Sequence, residues 1–350
     1  MRMFKNDYSE GAAAEVLEAL IATNAEQCVG YTEGDPHCEA ARKLIRRACG
    51  RDDVAVEFAI GGTSTNLVCI NGLLRDWEGV ICTPDAHINV HETGAIAATG
   101  RSVLPTRDAD GFLSPAEAER VWRFQQGAGR HMTRPAMVYI SNTTELGGVW
   151  SRERFDALCD WAHERELKVF VDGARLGSAL TSPAAEGLTL EHLASKADAF
   201  SIGGTKNGLL FGEAVVIADE GLREAFGYLI KERGGLMAKG RLLGAQFEAA
   251  FTADKNGELP YWRYARTANE CAFRLRDGLI ELGFEAYGEA PSNQQFFAFE
   301  PKVSKAFAEA VGSEVFQELE DGRLLTRFVC SWATTPSDVD ELLAFAKTLR

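Results

Sequence analysis

The sequence contains no long apolar run: nothing in its 350 residues approaches the roughly 18 consecutive apolar positions of a membrane-crossing helix, so no membrane partner is expected. Positive charge is scarce. Lys and Arg number 37 against 51 Asp and Glu, a net charge of −14, whereas nucleic acid and anionic lipid attract basic surfaces. The eight cysteines (Cys28, Cys38, Cys49, Cys69, Cys82, Cys159, Cys271 and Cys330) form no CxxC pair, which signals neither a zinc ribbon nor a disulfide framework. They are expected to be reduced thiols packed as small hydrophobes. No repeat, low-complexity tract or long linker interrupts the chain. Its start, MRMFKNDYSEG, lacks the apolar stretch of a secretory signal, so the expected location is cytoplasmic. What is present is ordinary for a soluble globular protein, 46% hydrophobic and 25% charged, and long enough for more than one domain.

Between about residues 50 and 220, short apolar runs alternate with helical patterns. Strands are expected at VAVEFAI (54–60), GVICT (79–83), AMVYIS (136–141), LKVFVD (167–172), AFSIG (199–203) and AVVIAD (214–219). They are nearly continuous in hydrophobicity, as strands covered on both faces are. The 151–167 stretch places Phe155, Leu158, Cys159 and Ala162 at helical spacing, with Ser151 as N-cap. The alternation predicts an α/β fold with a mostly parallel central sheet flanked by helices. Past residue 250 a long helix precedes short strands at 294–300 and 323–332 and a closing helix, which reads as a smaller α+β domain. The expected division is an N-terminal arm (1–15), a large domain (16–250) and a small C-terminal domain (251–350). In open parallel sheets the ligand lies beyond the carboxyl ends of the strands, so the residues following each strand deserve the closest reading.

Three strand ends carry unusual residues. GGTSTN (61–66) follows a strand and opens a helical pattern. Backbone amides at such a helix start, with glycine clearance and hydroxyls, suit a phosphate held by Gly62, Thr63 and Ser64, or else form a glycine-rich turn capped by Thr. In VDGAR (171–175), Asp172 ends an apolar strand and needs a cationic partner, which is either Arg175 or a protonated ring nitrogen on a bound cofactor. In SIGGTKNG (201–208), the lone Lys206 sits among Gly203, Gly204 and Gly208. An amine in a poorly hydrated pocket has a lowered pKa and becomes a nucleophile towards aldehydes. A phosphate cradle, a carboxylate for a ring nitrogen and an amine for an aldehyde are the three handles of pyridoxal 5'-phosphate. On this reading the glycines leave room for a flat ring joined to the lysine.

In DAHINVHETG (85–94), His87 and His91 stand four apart at a strand-to-helix junction. That spacing could suit a metal, but no acidic ligand pattern accompanies it, and no metal is expected. His87 suits stacking on a pyridine ring, and His91 is a candidate general base. His37, His131, His163 and His192 read as surface or structural.

Together these residues resemble the pyridoxal-phosphate enzymes of the aspartate-aminotransferase fold, and within it the threonine aldolase and β-eliminating lyase family. The likeness runs through FKNDYSEGA, GYTEGDPH, GGTSTN, DAHINVHETG, YISNTTELGGVWS, VDGARLG, SIGGTKNGLLFGE, GGLMAKGR and TRFVCSW. The resemblance implies that Lys206, preceded by Thr205, joins the cofactor aldehyde and that Asp172 pairs with the ring nitrogen. It further implies that Arg175 contacts the phenolic oxygen, Gly62 and Thr63 hold the phosphate, and His87 stacks on the ring. Arg327 falls where the family binds the substrate carboxylate, a task suited to a planar guanidinium. A homodimer or homotetramer with sites at subunit boundaries is implied, so that Tyr31 and the 233–241 segment reach a neighbour's site.

Three departures stand out. Asn6 takes the place of a substrate-contacting serine, Thr144 and Glu145 replace a histidine–asparagine pair, and Lys239 comes one position late after GGLM. The expected activity is that of a low-specificity L-threonine aldolase, cleaving L-threonine or L-allo-threonine to glycine and acetaldehyde. His87, His91 or a bound water would take the hydroxyl proton. Alternatives are β-elimination or transamination on another amino acid, a non-catalytic protein of the same fold, and a colourless sugar or nucleotide enzyme.

Overall fold

The computed structural model describes all residues, Met1–Arg350. Seven strands form the central sheet: β1 (Ala55–Ala59), β2 (Glu78–Cys82), β3 (Ser102–Pro105), β4 (Arg134–Ser141), β5 (Lys168–Asp172), β6 (Ala199–Gly203) and β7 (Glu213–Ile217). Their order is β1-β7-β6-β5-β4-β2-β3. Every pair from β6 to β3 is parallel, while β7 runs antiparallel between β6 and β1. The expected α/β architecture with a mostly parallel sheet is therefore what the chain forms. All six expected strands are present within a few residues, and β3 is an additional one. It is only four residues long and carries Pro105 at the edge of the sheet, where a missing amide is tolerated.

Both sheet faces are covered. Phe58, Val138, Val169, Val171 and Phe200 pack with Phe155, Leu158, Leu193 and Phe247 of helices on one side. On the other, Tyr139, Phe170, Ala199 and Val215 meet Val68 and Ile70 of helix Gly62–Leu73 and Leu222 and Phe226 of helix Glu220–Glu232. Ser151 caps helix Arg152–His163 as expected, its hydroxyl accepting from the Arg154 amide. That helix ends at His163 rather than near 167, because Glu166 turns the chain at a φ of 58° before β5 begins.

A second, antiparallel sheet lies in the C-terminal part. It comprises β8 (Glu285–Ala286), β9 (Gln294–Phe299), β10 (Glu314–Glu318) and β11 (Leu324–Val329), in the order β10-β11-β9-β8. Helix Pro260–Glu281 joins the two cores. Its first turn places Tyr261 in the large core, and Cys271, Leu275 and Leu279 pack against Phe297, Phe307 and Phe328 of the smaller one. The N-terminus is clamped to that smaller sheet. Phe4 is fully buried there, its amide donating to Val311 O at 2.7 Å while its carbonyl accepts from Val329 N at 2.9 Å. No helix is long and apolar enough to cross a membrane. All eight cysteines are free, and all but Cys28 are buried.

Candidate active site

Strands β1, β4, β5 and β6 point their carboxyl ends at one edge of the sheet, where a cavity of about 800 Å³ opens. Gly62, Thr63, His87, His91, Asp172, Arg175, Thr205, Lys206 and Arg327 all line it. Ser64 does not, and neither do two residues expected to contact substrate, Asn6 and Tyr31. The Asn6 side chain turns back on its own loop, accepting from Tyr8 N and Ser9 Oγ. Tyr31 is exposed and tied to the 233–241 segment through its amide, which donates to Ala238 O at 2.9 Å.

Asp172 caps β5 and is 5% exposed, with its open edge on the cavity. Its Oδ2 accepts from Tyr139 Oη at 2.7 Å and Asn66 Nδ2 at 2.8 Å, and its Oδ1 from the Ala174 amide at 2.9 Å. Three donors fix the carboxylate without a cation. Arg175 is not its partner: Nε and Nη2 donate at 2.7 and 3.1 Å to Asp7, which the N-terminal arm inserts into the site. Burial would raise the Asp7 carboxyl. The charges of Arg175 and Lys206, with hydrogen bonds from Arg175 and Asn293, outweigh it and hold the group below the usual carboxylate range. Nη1 of Arg175 makes no protein hydrogen bond, so this guanidinium keeps a free donor at the cavity.

Lys206 stands between these acids. Burial and the neighbouring Arg175 hold its amine below the ordinary lysine range, against the opposing pull of Asp7, Glu145 and Asp172. That is the direction a nucleophilic amine needs. The glycines around it serve a different purpose from the one the sequence suggests. A Cβ on Gly203 would lie 2.3 Å from Ala174 O, one on Gly204 2.6 Å from Gly212 O, and one on Gly208, at φ +86°, 2.6 Å from the Tyr264 ring. These glycines admit neighbouring backbone and side chains, and do not hold open a ring slot. Open space belongs instead to Gly61 and Gly62, where an added Cβ meets nothing within 4 Å.

Those two glycines begin helix Gly62–Leu73, which has no side-chain cap. The first helical bond is Thr65 N to Gly61 O, so the amides of Gly62, Thr63 and Ser64 have no protein acceptor. Free amide donors at the positive end of a helix dipole suit an anion. Thr205 lies across the cavity, its hydroxyl accepting from Gly212 N at 3.0 Å and so joining the Lys206 loop to β7.

His87 is half-buried and bonded through Nδ1 to the buried Glu92 at 2.8 Å, leaving Nε2 without a protein partner. Burial lowers the imidazolium pKa, but Glu92, Glu145 and Asp172 together raise it above the ordinary value. His91 is exposed, its ring 5.5 Å from that of His87. From the smaller sheet, Arg327 reaches the cavity held by Gln294 Oε1 at 3.1 Å and by Glu314. Of the two substituted positions, Thr144 is buried and braces its own turn by accepting from Gly148 N, whereas Glu145 lines the cavity.

Sequence reasoning missed Asp7, Asn66, Tyr139, Glu92 and Glu213. Asp172 carried a readable signal, a polar group at the end of an apolar strand; Tyr139 lies inside β4 opposite Phe170 and reaches Asp172 diagonally across the two strands. Asp7 carried none, since its partner is 168 positions away.

The cavity at the carboxyl edge of a doubly covered sheet, with a buried lysine of lowered pKa, a fixed carboxylate and free helix amides, is that of an α/β enzyme. The particular family follows from comparison: a model of the β-eliminating lyase family matches residues 5–306, and the chain belongs to that family. It is 30% identical to a low specificity L-threonine aldolase of Pseudomonas sp. (strain NCIMB 10558), over 98% of this chain and 96% of that protein. The enzyme of the same name from Pseudomonas aeruginosa is 28% identical over 100% of this chain and 97% of its own length. Among solved structures, Leishmania major threonine aldolase superposes with a TM-score of 0.94 at 38% identity, covering 100% of this chain and 99% of that one.

Proposed function

We propose that this chain is a low-specificity L-threonine aldolase, a carbon–carbon lyase that uses pyridoxal 5'-phosphate to cleave L-threonine or L-allo-threonine to glycine and acetaldehyde. The observation that carries this reading is the convergence of Lys206, Asp172 and the unpaired helix amides of Gly62 and Thr63 on one cavity, in a chain related along its whole length to threonine aldolases.

The residues present fit the cofactor. The amides of Gly62, Thr63 and Ser64 would hold its phosphate, Lys206 would bind its aldehyde carbon, and His87 would cover the ring. The free Nη1 of Arg175 would donate to the phenolic oxygen. Bound there, pyridoxal phosphate supplies an electron sink for the bond broken at the amino acid's Cα. Asp172, oriented by Tyr139 and Asn66, would hold a proton on the ring nitrogen. Arg327 would bind the substrate carboxylate and so fix how the amino acid is oriented in the cavity. His87, oriented through Nδ1 by Glu92, offers its free Nε2 to the β-hydroxyl proton. His91 at the mouth, or a water it holds, is the alternative acceptor. Tyr31 and the 233–241 segment lie together outside this cavity, which supports a dimer or tetramer in which they complete a neighbour's site.

The test is product analysis with L-threonine and added cofactor, and no keto acid. Glycine and acetaldehyde in equal amounts are expected. 2-Oxobutanoate and ammonia, or no turnover by a coloured protein, would overturn the assignment. Borohydride reduction followed by peptide mapping should place the modification on Lys206, and Lys206→Ala should lose both colour and activity.

A further inference from the structure

β7 enters the sheet at the edge where its neighbours leave it, and its first residue is a glutamate. Glu213 stands opposite Ala59 of β1 and Gly203 of β6. Opposed residues share a face, and successive pairings across β6 and β5 put Glu213 on the same face as Asp172. Neither cross-strand partner offers a polar side chain. Glu213 is 3% exposed and lines the cavity beside Lys206, yet its Oε2 is buried with no hydrogen bond. The Thr205 side chain and the Gly204 amide hold the rest of the carboxyl, and a buried oxygen left without a partner is costly. Gly204 N donates to Gly212 O at 3.0 Å, and Gly212 N to Thr205 Oγ1 at 3.0 Å, which ties the Lys206 loop to the start of β7.

The surroundings of Glu213 are otherwise poor in charge. Asp172 comes from β5 and Lys206 from the adjoining loop. Tyr261 of helix Pro260–Glu281 stands behind, its hydroxyl donating to Gly203 O. Helix Gly62–Leu73 carries no acidic or basic residue, and helix Glu220–Glu232 meets the sheet through Leu222, Phe226 and Ile230. Helix Arg241–Phe251 buries Leu243 and Phe247. Lys206 in turn faces Arg175, Asp7, Glu145 and Asp172.

We propose that Glu213 is a positioning residue that shares one proton with the Lys206 amine, donating it when that amine is set free in the cavity and taking it back when the amine must act as a nucleophile. The exchange balances: a carboxylic acid and a neutral amine become a carboxylate and an ammonium, and the reverse. Burial first, then Asp172, with Lys206 opposing, pushes the carboxyl up to about 8, so it carries its proton at neutral pH. This role rests on Lys206 being the lysine that binds the cofactor.

The test is a visible-absorption titration of the cofactor-loaded parent and Glu213→Gln between pH 6 and 10. Removing a carboxylate that ionises beside the lysine should lower the midpoint of the band change by about one pH unit, with the cofactor retained. Glu213→Asp, which restores the charge, should return most of that shift. Coincident titration curves for parent and Glu213→Gln would overturn the proposal. A second measurement needs no cofactor. The raised carboxyl makes the parent apoprotein lose stability as pH rises from the unfolded value near 4.5 through about 8. Glu213→Gln apoprotein should therefore melt higher than the parent at pH 8.5 and close to it at pH 5. An equal gap at both pH values would also overturn the proposal. A parent that binds no cofactor would instead sink the reading of Lys206, while the apoprotein comparison would still judge Glu213.

Discussion

Asp7 carries the most consequential single contact in the site, because it neutralises a buried guanidinium from the far end of the chain. Arg175 is 9% exposed at its side chain and Asp7 1%, so water competes little for the bonds between them. Removing one member of such a pair leaves the other buried and uncompensated, at a cost of about 3–5 kcal/mol. Asp7→Asn should therefore destabilise the protein by that order in urea unfolding at pH 7. The pH dependence has a definite sign. The folded carboxyl titrates below its unfolded value of 3.8, so the contribution is present above that pH and is lost as pH falls through the lower folded value. The gap between parent and variant should begin to narrow below about pH 4 and shrink further with added acid. A gap that does not narrow at all as pH falls below about 4 would show that lost packing, and not charge, dominates.

At the scale of elements, glycines at two strand ends do opposite things. An added methyl on Gly203 meets backbone carbonyls of Gly173 and Ala174 at 2.8 and 2.3 Å, which cannot move without parting β6 from the β5 turn. On Gly62 it meets open space. Gly203→Ala should cost about 1–3 kcal/mol or more of stability. Gly62→Ala should leave the melting temperature nearly unchanged while weakening cofactor binding at the helix start. Melting curves and a cofactor titration read the two effects separately, and equal stability losses would contradict the geometry. The same contrast shows what the sequence could tell. Continuous apolar runs made the central strands legible, and residues just past them, Asp172 and Lys206, were legible as a site because strand ends converge. The purpose of Gly203, Gly204 and Gly208 was not, since a close approach depends on which segment arrives from elsewhere. β10 was also hidden: EVFQE is half-exposed at the sheet edge, and its pairing with β11 shifts register, so it shows neither a clean period nor a buried run.

Across the whole molecule, the proposed roles divide between the two sheets. The large sheet carries the anion site, Asp172 and Lys206, whereas Arg327 arrives on β11 of the smaller one. Their relative placement depends on a buried polar seam. Asn293 donates from Nδ2 to Asp7 at 2.8 Å and to Cys330 O at 2.9 Å, and its amide donates to Ser178 Oγ, which bonds Asn269 of helix Pro260–Glu281. One side chain thus links the N-terminal arm, β9 and the end of β11. Asn293→Ala leaves two acceptors without this donor, at a cost of about 1–3 kcal/mol each before any water enters. Because cofactor contacts reside on the large sheet, Asn293→Ala should bind pyridoxal phosphate with near-parental affinity. Loosening the sheet that bears Arg327 should instead raise KM for threonine roughly tenfold or more, since about 1.4 kcal/mol corresponds to a factor of ten. Steady-state kinetics beside a cofactor titration decides the matter. If cofactor affinity falls in step with KM, the seam supports the large sheet as well, and the division of labour between the two sheets does not hold.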